Sequence, residues 1–244
     1  MIENLSFITY EKHKEIVEII LNECLSIEKV TGFMLIGSVA RGDAYPDSDL
    51  DLYILLEDGQ KKRFYSEMRE DILVEYKYAD FNQIQVNFKN NQMELYSFLE
   101  GKILFDKSGE LKELKAIAKQ KFENYRVASD KVKGISHWLH SSLIKIKTAL
   151  KAKDELKASY IVQTSTWTLL EGIWAINNKP VPSAGSVLKY IETLSKVPTH
   201  FEDFINKLFL GDTTERISSA VFLIEWILIH LENKQLNTIV KFYW

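Results

Sequence analysis

The sequence from residue 37 to residue 52 reads GSVARGDAYPDSDLDL and lies between two apolar segments. The segment before it, residues 33–36, reads FMLI, and the second segment, residues 50–56, begins within its last three residues and reads LDLYILL. Short apolar runs of this kind predict buried β-strands. The stretch 37–52 is therefore predicted to connect two strands, and its polar residues are candidates for a functional site.

Gly37 and Ser38 begin this connection directly after the first predicted strand. Ser38 opens the next turn or helix, where backbone N–H groups and the hydroxyl can point at a phosphate oxygen and the helix dipole favours an anion. Glycine at position 37 matters because a side chain there would block close approach. The pair predicts a phosphate-binding turn.

Asp49 and Asp51 stand two residues apart at the start of the second predicted strand. Because side chains alternate along a strand, both carboxylates are expected on one face, with Leu50 and Leu52 facing the core. Magnesium prefers oxygen ligands, and two metal ions about 3.5–4 Å apart can neutralise charge during nucleotidyl transfer. An Asp-x-Asp alone is usually only a polar strand end, whereas its combination with the Gly-Ser turn predicts a metal and nucleotide site.

The Gly37-Ser38 turn and the sequence DLD at residues 49–51 resemble the signature of the nucleotidyltransferase superfamily, which includes DNA polymerase beta and the antibiotic nucleotidyltransferases. The resemblance implies a triphosphate on the turn and Mg²⁺ on the two aspartates. It also implies a third carboxylate on a later strand, and Glu75, in VEY at residues 74–76, fits that place. From its residue type alone, Glu75 is an ordinary solvated strand residue.

Arg41 lies inside the same stretch. Its guanidinium is always charged and offers several donors to phosphate, so nucleotide binding is one interpretation. A surface ion pair with Asp43 or Asp47 is an equally good one.

The sequences SAGSVL at residues 183–188, LFD at 104–106 and VEY at 74–76 resemble pieces of the aminoglycoside- and lincosamide-modifying nucleotidyltransferases. In those enzymes a helical C-terminal domain completes the acceptor site, often across a homodimer. In those enzymes a Glu on the first helix of this domain is the general base, but residues 136–141 read SHWLHS here. His140 can substitute, because an imidazole titrates near neutrality. The alternative is that His137 and His140 share a helix face and only pack or cap.

Other residues of the helical half are open to two interpretations. Lys145 or Lys147 can reach the triphosphate as a point charge, or both can form a solvated basic face. Glu171 is a candidate to face a cationic substrate, although a helix-surface position is the simpler reading. Three tryptophans are expected in the core by their helical spacing, Trp138, Trp167 and Trp174.

The composition is that of an ordinary globular protein, with 46% hydrophobic and 27% charged residues in 244. The formal net charge of −3 disfavours a nucleic-acid partner.

Cys24 is the only cysteine, which excludes an internal disulfide and predicts a buried thiol. The N-terminus does not read as a signal peptide, and the most apolar later stretch, 220–231, is shorter than the roughly 20 residues that span a bilayer. We expect a cytoplasmic protein without a membrane partner.

Hydrophobic periodicity changes along the chain and predicts an α+β protein. The first part alternates helices with strands, whereas the part from about residue 128 has helical periodicity only. The predicted strands are 33–36, 50–56, 72–78 and 103–105, and the predicted helices are 12–25, 93–99, 111–122, 132–150, 156–176, 187–194, 201–210 and 215–231. Residues 60–70 have apolar residues at helical spacing, and Ser183 is expected to cap the helix from 187.

We therefore expect a nucleotidyltransferase catalytic domain with a mixed sheet at residues 1–126 and an all-α helical-bundle acceptor domain at 127–244. The expected reaction moves a nucleoside monophosphate, AMP from ATP, to a hydroxyl of a small molecule such as an aminoglycoside, using two Mg²⁺ ions and releasing pyrophosphate. A homodimer follows from the resemblance. The alternatives are an antitoxin-like enzyme acting on a protein or RNA acceptor, and a catalytically silent nucleotide-binding module.

Overall fold

The structure is a computed structural model that describes residues 5–60 and 63–235, with side chains up to Leu231. It divides into two compact units, Met1–Asn124 and Tyr125–Trp244. All strands within the described residues belong to the first unit, and the second is built of helices. This arrangement confirms the predicted α+β class.

The elements alternate in the first unit and are helical throughout the second. The first unit contains α1 Glu11–Leu25, β1 Val30–Ile36, α2 Gly37–Arg41, β2 Leu50–Leu56, β3 Arg63–Arg69, β4 Ile72–Asp80, α3 Phe81–Asn90, α4 Glu94–Glu100, β5 Lys102–Asp106 and α5 Glu110–Glu123. The second contains α6 Ser129–Lys151, α7 Glu155–Ile176, α8 Val187–Ile191, α9 Phe201–Leu210 and α10 Thr213–Gln235.

The sheet is mixed and has the strand order β3-β4-β2-β1-β5. Strands β2 and β4 are parallel, and the other neighbouring pairs are antiparallel. Because β2 and β4 run in the same direction, the residues at the start of both strands lie at the same end of the sheet. Asp51 is paired there with Glu75.

Alternation along the central strands divides the core into two layers. Leu50 and Leu52 of β2 pack with apolar residues of α1 on one face of the sheet. Tyr53 and Leu55 face the other side and pack with residues of α3, α4 and α5. The side chain of Asp51 shares this second face.

Residues 63–69 form strand β3, so the helical spacing noted for residues 60–70 was misleading. Strand β3 pairs antiparallel with β4 through a tight turn at Glu70 and Asp71, whose φ angles of 49° and 66° lie in the left-handed region. Pairing with β4 outweighs the local pattern, because Phe and Tyr are good strand formers. Helix α3 was not predicted, although Asp80 and Gln83 form a capping box at its start.

The predicted helical segments of the second unit match α6 to α10 within a few residues, but two details were wrong. Helix α8 begins at Val187 with Ser186 as its N-cap residue, and Ser183 contacts the Ser186 hydroxyl, with 3.0 Å between the Oγ atoms. Trp138 is 61% exposed, whereas Trp174 is buried. Within the described residues, none of the helices combines the length and apolar character needed to cross a membrane.

Candidate active site

Gly37 places the backbone of the β1–α2 junction against the side chain of Asp51. Its φ angle is +72°, a left-handed conformation that glycine adopts without strain. A Cβ atom at this position would lie 2.2 Å from Asp51 Oδ2, far inside contact distance. Both observations require glycine, and they show that the turn and the Asp-x-Asp motif are in direct contact.

Ser38 follows in the first turn of α2. Its hydroxyl oxygen is buried and has no hydrogen-bond partner within the described residues. A buried polar atom without a partner is unfavourable unless a ligand or water completes it. The Ser38 hydroxyl is therefore available to a ligand atom, and its predicted contact with a phosphate oxygen stays a prediction.

Asp51 and Glu75 are neighbours in the register of β2 and β4, and Asp49 immediately precedes β2. Burial raises the pKa of Asp51 to about 6; nearby Lys77 opposes this, and the charges of Asp49 and Glu75 add to it. The three predicted carboxylates therefore repel one another. A bound cation would relieve that repulsion.

Lys77 is a site residue that the sequence analysis missed. Its Nζ lies 4.0 Å from Asp51 Oδ1. The signal was present in the sequence, because Lys77 follows Glu75 by two residues on a predicted strand and so shares its face. Lys77 is the positive charge that most lowers the pKa of Asp51.

The donor set fits a divalent cation, although it is not arranged as a ready-made site. Within residues 5–60 and 63–235, no three Asp, Glu, His or Cys side chains are close enough together to hold a metal. The fit rests on oxygen ligands of the kind that Mg²⁺ prefers at Asp49, Asp51 and Glu75. It rests also on the unpartnered Ser38 hydroxyl and on the room that Gly37 leaves for the Asp51 carboxylate.

His13 holds the loop that carries Asp49, and the sequence analysis missed this too. The loop turns at Tyr45 and Ser48, where Ser48 N donates to Tyr45 O at 3.0 Å and Tyr45 N donates to Ser48 Oγ at 2.8 Å. His13 is fully buried on α1, and its Nε2 atom lies 2.9 Å from the carbonyl oxygen of Ser48. Sequence spacing could not have revealed this contact, because 35 residues separate the two.

Arg41 is engaged by carboxylates of the same unit. Its Nε lies 3.1 Å from Asp43 Oδ1, and its Nη1 lies 2.8 Å from Glu100 Oε2 on α4. The alternative of an ion pair with Asp43 is thus what the structure shows, with Glu100 as a second, nearly buried partner. Its charge still lowers the pKa of Asp51.

The candidates from the second unit lie on α6 and α7. His140 and Lys145 are exposed on α6. Lys147, also on α6, forms an ion pair with Glu225 of α10. Glu171 pairs with Lys131, with 3.2 Å between Oε1 and Nζ.

A comparison with known protein families agrees with this geometry. The sequence profile of the nucleotidyltransferase domain matches residues 17–123, a range that includes the site from Gly37 to Lys77. No curated protein matches the chain. Among solved structures, a nucleotidyltransferase-like protein from Exiguobacterium sibiricum 255-15 is similar over 92% of this chain and 76% of its own, with 13% identity and a TM-score of 0.46. Residues 17–123, which carry the site, are therefore those of a nucleotidyltransferase domain.

Proposed function

We propose that this protein transfers a nucleoside monophosphate, AMP from ATP, to a hydroxyl group of a small cationic molecule and releases pyrophosphate. The observation that carries the proposal is the contact between Gly37 and Asp51. A side chain at position 37 would displace the Asp51 carboxylate, so the phosphate-binding turn and the acidic motif can function only as one site. A site made of this turn and these carboxylates suits a nucleotide whose phosphates bind together with a metal ion.

In this proposal Asp49, Asp51 and Glu75 hold two Mg²⁺ ions. When bound, such ions neutralise the charge that develops on the transferred phosphoryl group. The chain supplies the oxygen ligands, and burial of Asp51 keeps water from competing for one of them. Lys77 offsets part of the negative charge of these carboxylates when no metal is bound.

The nucleotide would be held by the turn after β1. The Ser38 hydroxyl donates to a phosphate oxygen, which gives this buried group the partner that it lacks among the described residues. Gly37 allows the phosphate to approach the backbone closely. Lys145, exposed on α6, is proposed as a further point charge for the triphosphate.

Transfer requires the acceptor oxygen to attack the α-phosphorus while the bond to pyrophosphate breaks. We assign the acceptor's proton to His140, which is exposed on α6 and is of the residue type that most often serves as a general base. An aminoglycoside-type acceptor is supported by the resemblance of the helical half and by a net charge of −3, which favours a cation. The resemblance also supports a homodimer.

The test is pyrophosphate release from each of the four nucleoside triphosphates with Mg²⁺, against a panel of aminoglycosides and lincosamides. We expect turnover with ATP and at least one acceptor, lost in Asp49→Ala. His140→Ala should keep the affinity for ATP and lower kcat. Binding of ATP that is unchanged by Asp49→Ala and by removal of Mg²⁺ would contradict the proposal.

A further inference from the structure

Strand order fixes the side from which an acceptor can reach Asp51. In the order β3-β4-β2-β1, the Gly37-Ser38 turn follows β1, on one side of β2. Strands β4 and β3 lie on the other side. In-line displacement places the attacking oxygen and the leaving pyrophosphate on opposite sides of the phosphorus. A triphosphate on the Gly37-Ser38 turn therefore leaves the β4–β3 side to the acceptor.

The sheet surface on that side continues directly from the acidic site. Asp51 pairs with Glu75, and Glu75 pairs with Ser66 of β3, so the three form one row across β2, β4 and β3. Directly paired residues project their side chains to the same face of a sheet. Ser66 is therefore the next side chain after Glu75, moving away from the phosphate-binding turn.

Apolar side chains flank Ser66 on this face. Met68 pairs with Leu73, and Phe64 pairs with Lys77. Met68 is 62% exposed, Phe64 61% and Leu73 38%. We call the four residues Phe64, Ser66, Met68 and Leu73 the β3 platform.

Packing of β3 onto the sheet uses its other face. The rings of Tyr65 and Tyr76 lie 5.7 Å apart, and the Tyr76 hydroxyl donates to Glu67 at 2.6 Å. Arg69 pairs with Glu67 and with Glu23 of α1. The β3 platform is therefore not needed to attach β3, and its apolar side chains are available to a ligand.

Resting on the proposed function, we propose that the β3 platform binds the acceptor and selects an amino alcohol that carries an apolar ring. The ring packs against Phe64 and Met68, the protonated amine is attracted by the net negative charge of the three carboxylates and the bound triphosphate, and the hydroxyl is directed toward Asp51. Ser66, beside Glu75, offers a hydroxyl to a polar group of the same molecule.

Methionine methyl signals give a direct binding test in the full chain. The protein is labelled with ¹³C at the methionine methyl groups, saturated with Mg²⁺ and a non-hydrolysable ATP analogue, and titrated with 2-amino-1-phenylethanol or with ethanolamine. These probes share the amine and the hydroxyl and differ by the ring. We expect the phenyl probe to shift the Met68 signal, identified through Met68→Leu, and to leave those of buried Met34 and of Met93 in place.

The ring should tighten binding about tenfold over ethanolamine, because burial of a phenyl ring is favourable. Phe64→Ala and Met68→Ala should each remove most of that difference and leave the affinity for the ATP analogue unchanged. Ile19→Ala removes a side chain of similar exposure, 49%, from α1 and serves as the matched control. It should leave both affinities unchanged.

The outcomes separate the platform from the proposed function. If the ATP analogue binds but Met68 does not respond, or Phe64→Ala leaves the ring preference intact, the platform proposal is wrong while the proposed function stands. If Phe64→Ala and Met68→Ala change only the sedimentation of the protein, the β3 platform is a self-association surface and the proposal is equally wrong. If the wild type does not bind the ATP analogue with Mg²⁺, the proposed function itself fails.

Discussion

His13 on α1 donates a hydrogen bond from Nε2 to the backbone carbonyl oxygen of Ser48, with 2.9 Å between the two atoms. A carbonyl oxygen can only accept, so Nε2 carries the hydrogen. Nδ1 is buried without a partner within the described residues. Helix α1 thereby holds the backbone directly before Asp49, and His13 is a positioning residue for the acidic motif.

Replacing His13 should loosen this loop and weaken metal binding. We expect His13→Ala to raise the Mg²⁺ concentration for half-maximal pyrophosphate release several-fold and to lower kcat about tenfold, because small displacements of reacting groups are costly. His13→Gln keeps an N–H donor of similar reach and should recover much of both. A variant that melts at a lower temperature but keeps the wild-type Mg²⁺ requirement would mean that His13 only stabilises the fold.

Alanine substitutions at Gly37 and Gly42 distinguish the effect of backbone strain from the effect of a collision with Asp51. Gly37 and Gly42 have φ angles of +72° and +80°, so alanine strains the backbone at both, at about 1 kcal/mol of unfolding free energy. An alanine Cβ at position 37 would collide with Asp51 Oδ2, whereas one at position 42 would meet nothing within 4 Å. We expect Gly37→Ala to abolish the thermal stabilisation by Mg²⁺ and ATP, and Gly42→Ala to retain it.

Thermal melts with and without Mg²⁺ and ATP measure this difference. Circular dichroism of both variants checks that each is folded. Equal loss of ligand stabilisation in both variants would show that backbone strain, and not the contact with Asp51, decides binding.

The local parts of the site could be predicted from sequence, because their signals lie within a few residues. Gly37 follows an apolar strand, and alternation along β2 puts Leu50 and Leu52 in the core. The contacts of His13 and Lys77 depend on which strands and helices become neighbours, and no local pattern specifies that. Strand β3 escaped prediction for the same reason, since its pairing with β4 is a tertiary interaction that outweighs its sequence periodicity.

Asp51 should reduce the stability of the metal-free protein. Burial raises its pKa from 3.8 to about 6, so the folded protein holds a proton more tightly than the unfolded chain. As the pH rises from about 4 to above 6, deprotonation then favours the unfolded state. Asp51→Asn removes this effect and should raise the free energy of unfolding by about 1–3 kcal/mol at pH 7.5, with little gain below pH 4.

Urea denaturation of both proteins at several pH values, without divalent cation, measures the difference. Addition of Mg²⁺ and ATP should reverse the order, because the wild type gains stability from binding and Asp51→Asn does not. An Asp51→Asn variant that is less stable than the wild type at pH 7.5 without metal would show that the carboxylate is stabilised by its neighbours in the fold.

The Arg41–Glu100 pair joins α2 to α4 and should contribute more to stability than an exposed ion pair. The side chains are only 10% and 7% exposed, so loss of either one deprives the other of a nearly buried charge partner. We therefore expect Glu100→Gln to lower the free energy of unfolding by about 2 kcal/mol, below the cost of a wholly uncompensated charge because Asp43 still pairs with Arg41, and Arg41→Met to lower it similarly. The double variant should lose far less than the sum of the two, and denaturation of all four proteins measures this coupling.

The same variants separate the two roles considered for Arg41. Glu100→Gln leaves the guanidinium in place, so a purely structural role predicts that neither single variant changes the KM for ATP by more than about twofold. A KM that rises tenfold in Arg41→Met alone, which corresponds to about 1.4 kcal/mol, would show that the guanidinium also contacts the nucleotide. Because the nearly buried contact with Glu100 at 2.8 Å already uses one end of the guanidinium, we expect the smaller change.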